Sequence, residues 1–161
     1  MSKFPGKHQN EAKTVKAPVK KLLTKYGWFW WMPAANQFGV SGVADILAIK
    51  KGMFIAIETK FGRNDPTPMQ LAFLNSVRAE DHFAFVVREN TLLALGQFLN
   101  YLDQSIAYAA QQEIAPAEIG GAMLDAIKAM TDTEVLNAAR FQKAIAKSVG
   151  KQLRSMGDDE E

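Results

Sequence analysis

The chain has 161 residues, of which 48% are hydrophobic, a net charge of +2 and no cysteine. That is enough apolar material for one cored domain and too much for a disordered chain, and it excludes disulfides and thiolate zinc sites. The near-balanced charge confines any nucleic-acid surface to a local patch.

Residues 8–26 read as helical in two pieces. Pro18 interrupts the first and can open the second at its first turn. Val15, Val19, Leu22, Leu23 and Tyr26 form the apolar face, and Gly27 ends it. Trp28–Met32 is aromatic enough for a strand, either as core or as a surface for stacked bases or a second subunit. Pro33–Gly42 carries turn residues. Two short apolar runs, 44–49 and 53–58, read as strands joined by a turn at Lys51-Gly52. Phe61–Pro66 is a polar loop. Thr67-Pro68-Met69-Gln70 is a capping box that opens a helix to about Ala79. His82–Val87 is a fourth strand.

From Thr91 onward the pattern is helical. Leu92, Leu95, Leu99, Leu102 and Ile106 form a seam that can bury against the sheet or a second subunit. Pro116, Gly120 and Gly121 mark a break, and Thr131–Glu134 is a second capping box opening a helix to about Val149. On that helix Arg140, Lys143, Lys147, Lys151 and Arg154 form a basic stripe, either a solvated face or a phosphate-tracking one. Lys13, Lys16, Lys20 and Lys21 pose the same alternative. The expected organisation is an α/β core over 8–90 in the order αβββαβ, with a mixed sheet flanked by helices. A helical extension over 91–150 follows, packing on the core or forming a dimer interface, and then a flexible tail over 151–161.

Asp45, Glu58 and Lys60 stand out because each ends a very apolar run, where a charge costs several kcal/mol without a partner. With the turn at Lys51-Gly52, Lys50 faces Met53, Ile49 faces Phe54 and, counting back, Asp45 faces Glu58. Facing residues have Cβ atoms roughly 4.5–5.5 Å apart, so the two carboxylates repel unless a cation bridges them. Lys60 falls on the Glu58 face, and Thr59 points away but can offer its backbone carbonyl to a hard cation. With only His8 and His82 available, carboxylates must hold any metal, which favours magnesium or manganese. A metal there can polarise a phosphate oxygen and activate water, Lys60 can stabilise the developing charge, and the group suits phosphodiester hydrolysis. Gly42 would let a phosphate backbone approach, and Ser41 and Arg63 border the site as candidate phosphate contacts. The plainer reading is a turn aspartate beside a surface ion pair.

Gly42-Val-Ala-Asp45-Ile-Leu, Phe54-Ile-Ala-Ile-Glu58-Thr-Lys60 and Pro66-Thr-Pro-Met-Gln70, in that order, resemble the PD-(D/E)XK nuclease superfamily. The similarity is to its virus-type replication–repair (VRR-NUC) branch, many of whose members are small phage proteins. It extends over roughly residues 8–90, with Ala44 standing where the superfamily name has proline. The resemblance implies a restriction-endonuclease-like core and a magnesium- or manganese-dependent deoxyribonuclease, often acting on branched DNA, with homodimers among stand-alone members. It also implies metal ligation by Asp45 and Glu58, catalytic roles for Lys60 and Gln70, and a first-helix glutamate, Glu11, facing the site. Lys143, Lys147 and Lys151 join Ser41, Gly42 and Arg63 as candidate DNA contacts. No phosphate-binding glycine loop, signal core or membrane span is seen, so no nucleotide cofactor and no membrane partner are expected. The expected location is cytoplasmic, in a bacterial host if the chain is phage-encoded. The rival reading is a non-catalytic DNA-binding or junction-recognition module on the same fold, and a third is a structural phage protein whose helical part does the work.

Overall fold

The computed structural model describes residues 10–34, 39–116 and 118–121. The last predicted helix and its basic residues, including Lys143, Lys147 and Lys151, lie outside that range.

The described residues open with one helical run rather than two. Residues Ala12–Lys16 form a π-helical turn that leads directly into α1, Ala17–Lys25. Pro18 explains the irregularity. It has no N–H, and in a regular helix its ring would press on the carbonyl four residues back. The widened turn relieves this, and the Ala17 N–H reaches back five residues to the Ala12 carbonyl. Gly27, at φ +72°, then reverses the chain into β1, Phe29–Trp31.

β2, Ile46–Lys50, and β3, Met53–Thr59, form the hairpin with Lys51 and Gly52 at its tip. Its register is the expected one, with Lys50 opposite Met53, Ile49 opposite Phe54 and Ile46 opposite Ile57. The helix α2, Pro68–Ala79, starts at the complete Thr67/Gln70 capping box and connects β3 to β4, Phe83–Val87. The sheet order is β1-β2-β3-β4, antiparallel except for the parallel β3–β4 pair. This is the expected mixed sheet in αβββαβ order, followed by the helix α3, Leu92–Gln111.

The strands alternate between two apolar layers. Ile46, Ala48, Ile55, Ile57, Phe83, Phe85 and Val87 pack against Val15, Val19 and Leu23 and against the α3 seam of Leu95, Phe98, Leu99 and Leu102. Phe98 meets Phe83 and Phe85 edge-on, each 5.2 Å between ring centres. The opposite layer is built from small residues, Ala44, Ala56 and Ala84, which let Leu74 of α2 come close. Lys50 crosses between elements, ion-paired with Asp103 of α3 at 2.6 Å and donating to the Tyr26 carbonyl. Of the aromatic strand, Trp28 is buried, whereas Phe29 and Trp31 are exposed.

The break expected at Pro116–Gly121 falls earlier. α3 stops at Gln111, residues 112–115 turn, and Pro116 begins the next helical residues. Proline suits a first turn because the amide it lacks has no intrahelical partner there. Gly120 is buried, with the Met53 side chain 3.1 Å from where a Cβ would stand. Among the described residues no helix is long and apolar enough to cross a membrane.

Candidate functional site

Asp45, Glu58, Thr59, Lys60 and Glu11 converge at one end of the sheet, because β2 enters and β3 leaves at the same side of the hairpin. Glu58 is on the α2 side of β3, only 1% exposed. Its Oε1 is 2.7 Å from Lys60 Nζ. Beyond that ion pair neither carboxylate oxygen accepts a hydrogen bond of ordinary geometry, although the Asp45 backbone amide gives weaker support. Burial, and then the negative charge of Asp45, push the Glu58 carboxyl up to about 7, against the opposing pull of Lys60.

Asp45 and Glu58 stand next in the expected register, but just beyond the paired ladder. The ladder ends at Ile46–Ile57, one residue short of that pair, and Asp45 occupies a bend. Free of the pleat, its side chain turns toward Thr59, where Oδ2 accepts from the backbone N–H at 3.0 Å and from the hydroxyl at 2.7 Å. Thr59 therefore does not merely point away. Its fully buried hydroxyl fixes Asp45 and lies 3.3 Å from Glu11 Oε1.

Lys16 completes the cluster, 2.9 Å from Asp45 Oδ1 and 3.6 Å from Glu11 Oε1. The π-turn makes this possible, because residues five apart would stand about 140° apart around a regular α-helix. Burial lowers the Lys16 pKa, but the Asp45 hydrogen bond and the charges of Asp45, Glu11 and Glu58 outweigh it and leave it raised. Three acids thus face two lysines, and a proton on Glu58 would balance the site. Among the described residues no group of three or more His, Asp or Glu side chains is arranged to hold a metal ion. The carboxylates are interleaved with ammonium groups instead.

Gln70 is engaged in the cap, its Oε1 accepting from the Thr67 N–H at 2.8 Å. Ser41 is exposed, with its hydroxyl 3.7 Å from Met69 Sδ. Gly42, at φ +84°, is closely approached by α2. A Cβ there would stand 2.7 Å from Met69 Cβ and 2.8 Å from its carbonyl carbon. Gly42→Ala is expected to destabilise the protein by about 3 kcal/mol, read as a lowered denaturation midpoint, because backbone rather than a mobile side-chain end blocks the space.

Arg63 is exposed in the turn after Lys60. That turn is held by Arg88, which donates to the Gly62 and Asn64 carbonyls and pairs with Asp65 at 3.0 Å. Sequence reading named Lys16 only within a basic set, without its Asp45 contact, and missed the Thr59 hydroxyl and Arg88. Only the Glu11/Lys16 spacing ahead of Pro18 carried a usable signal, and only if a π-turn is allowed for.

Thr59→Val keeps the buried volume and removes one Asp45 partner. A stability loss of about 1 kcal/mol is expected in denaturant unfolding. Any divalent-ion affinity measured by calorimetry should fall about tenfold or more, because the group that orients Asp45 is gone.

A mixed four-stranded sheet flanked by helices, with a buried acid and a lysine at one strand end, is a nuclease-like architecture in general outline, and it is compatible with a hydrolase. No family model, curated protein or solved structure matches the chain.

Proposed function

We propose that the protein is a metal-dependent nuclease that hydrolyses DNA phosphodiester bonds at the Asp45–Glu58–Lys60 cluster. The observation that carries this reading is Glu58, a buried carboxylate ion-paired with Lys60 and otherwise supported only weakly among the described residues, by the Asp45 backbone amide. A structural acid so placed would be costly, whereas a metal ligand is expected to have free lone pairs. Asp45 and Glu58, with the Thr59 backbone carbonyl, would hold a hard divalent cation such as magnesium or manganese once Lys16 and Lys60 move aside, with Glu11 as a further carboxylate. When bound, such an ion supplies a polarised phosphate oxygen and a more acidic water.

The chain's own residues do the rest. Thr59 holds Asp45 in one rotamer. Lys60 exchanges its Glu58 contact for the water or the phosphoryl oxygens and stabilises charge as it develops. Lys16, released from Asp45, is available to a substrate phosphate. Gln70 enters only through its amide nitrogen, since its oxygen is used by the cap. Ser41 and Arg63, both exposed, would supply further phosphate contacts, whereas Gly42 serves the close approach of α2. The motif order in the sequence extends the reading to the VRR-NUC branch, to branched DNA as substrate and to a homodimer.

The second reading, a non-catalytic DNA-binding module, is favoured by one observation. Lys16 and Lys60 already neutralise the carboxylates without a metal. A panel of labelled junction, flap, nicked, single-stranded and duplex DNA separates the two. The nuclease reading expects cutting of at least one substrate in magnesium or manganese and none in chelator. Binding that persists in chelator, with no product at any metal concentration, would establish the module instead.

A further inference from the structure

A shallow groove runs along the outer side of α1, lined by Ala17, Lys20, Lys21, Thr24, Lys25 and Trp30. Trp30 forms its floor, held by a 2.9 Å hydrogen bond from the indole N–H to the Thr24 hydroxyl. Lys20 Nζ stands over the indole ring, 5.7 Å from its centre. No carboxylate lines the groove, and among the described residues none of the ion pairs uses Lys20, Lys21 or Lys25. Three lysines around an indole with no acid to neutralise them form a surface for an anion with a flat apolar part. The groove also shares its helical run with one member of the candidate site. Lys20 is one helical turn from Lys16, and Lys16 Nζ is 2.9 Å from Asp45. From Lys16 to Lys25 the helix rises about 13 Å, on the order of four nucleotide steps along one strand of a duplex.

We propose that this groove binds the phosphate backbone of a nucleic-acid strand flanking the Asp45–Glu58 site, with Trp30 as its floor. The inference rests on the nuclease reading for the nature of the ligand, but binding can be tested without cutting. Fluorescence anisotropy of labelled single-stranded and duplex oligonucleotides, in chelator and over a range of salt, compares the full chain with Lys20→Gln/Lys25→Gln. The double variant is expected to bind at least tenfold more weakly at 0.1 M salt. The slope of log affinity against log salt should fall by about two, because each lysine neutralises about one phosphate. Oligonucleotide binding should quench tryptophan emission, and Trp30→Phe should lose most of that quench while Trp28 and Trp31 remain.

Unchanged affinity and slope in a folded double variant would overturn the proposal, as would displacement of DNA by polyglutamate at equal charge. Those results leave metal-dependent cutting untouched. Groove-dependent binding by a wild-type protein that never cuts would overturn the nuclease reading and keep the groove.

Discussion

Glu58→Gln is expected to abolish DNA cutting while making the protein more stable at neutral and alkaline pH. The amide resembles the protonated carboxyl in shape but cannot serve as an anionic ligand, so cleavage should fall by at least about 10³-fold. The stability gain follows from the same burial. Glu58 is 1% exposed, and the folded protein holds its proton up to about pH 7, with the contribution of Lys60 already included. Above that pH the wild type carries a buried, poorly partnered carboxylate and the variant does not. A gain of about 2 kcal/mol at pH 8 is expected in denaturant unfolding. Loss of cutting together with loss of stability would instead mark Glu58 as a structural residue.

The wild-type protein should also lose stability as pH rises from about 4.5 to 8. The folded-state pKa of Glu58 is raised from 4.5 to about 7, so the folded state holds a proton that the unfolded chain releases. That contribution is fully present below 4.5 and lost as pH rises through 7, about 3 kcal/mol in all at 1.36 kcal/mol per pH unit. Lys16 is raised as well, but its contribution is lost only above its ordinary 10.5, outside this window. Measured relative to Glu58→Gln, the wild-type Tm should therefore decline between pH 4.5 and 8. Saturating magnesium or manganese at pH 8 should restore much of the loss, since a ligand that binds only the folded state stabilises it by mass action. A Tm difference independent of pH would contradict the assigned environment of Glu58.

Much of this arrangement was readable in the residues. Strand alternation and the Lys51-Gly52 turn set the hairpin register, and Thr67, Pro68 and Gln70 located the start of α2. The residues least legible were those whose positions depend on departures from regular geometry. Asp45 leaves the ladder one residue early, so parity no longer governs where its carboxylate points. Lys16 reads as a solvated or phosphate-tracking lysine on a regular helix, and the π-turn ahead of Pro18 brings it to Asp45. Pro116 reads as a breaker although it opens a helix. A proline's effect depends on whether it stands at a first turn or an interior one, and apolar periodicity does not settle that.

Gly42 illustrates a different limit. Its sequence context beside Asp45 suggested room for a phosphate, yet the close neighbour is Met69 of α2. A glycine reports that something comes near, and only the packed fold identifies the neighbour.

As proposed, Asp45, Glu58 and Lys60 form a metal-dependent DNA-cleaving centre. Single-turnover cleavage of the best labelled DNA substrate, with magnesium or manganese and with chelator, tests it most directly when wild type is compared with Asp45→Ala of verified fold. The expected result is product from the wild type in metal alone and none from the variant. Equal cutting by the two proteins, or cutting that survives chelation, would contradict it.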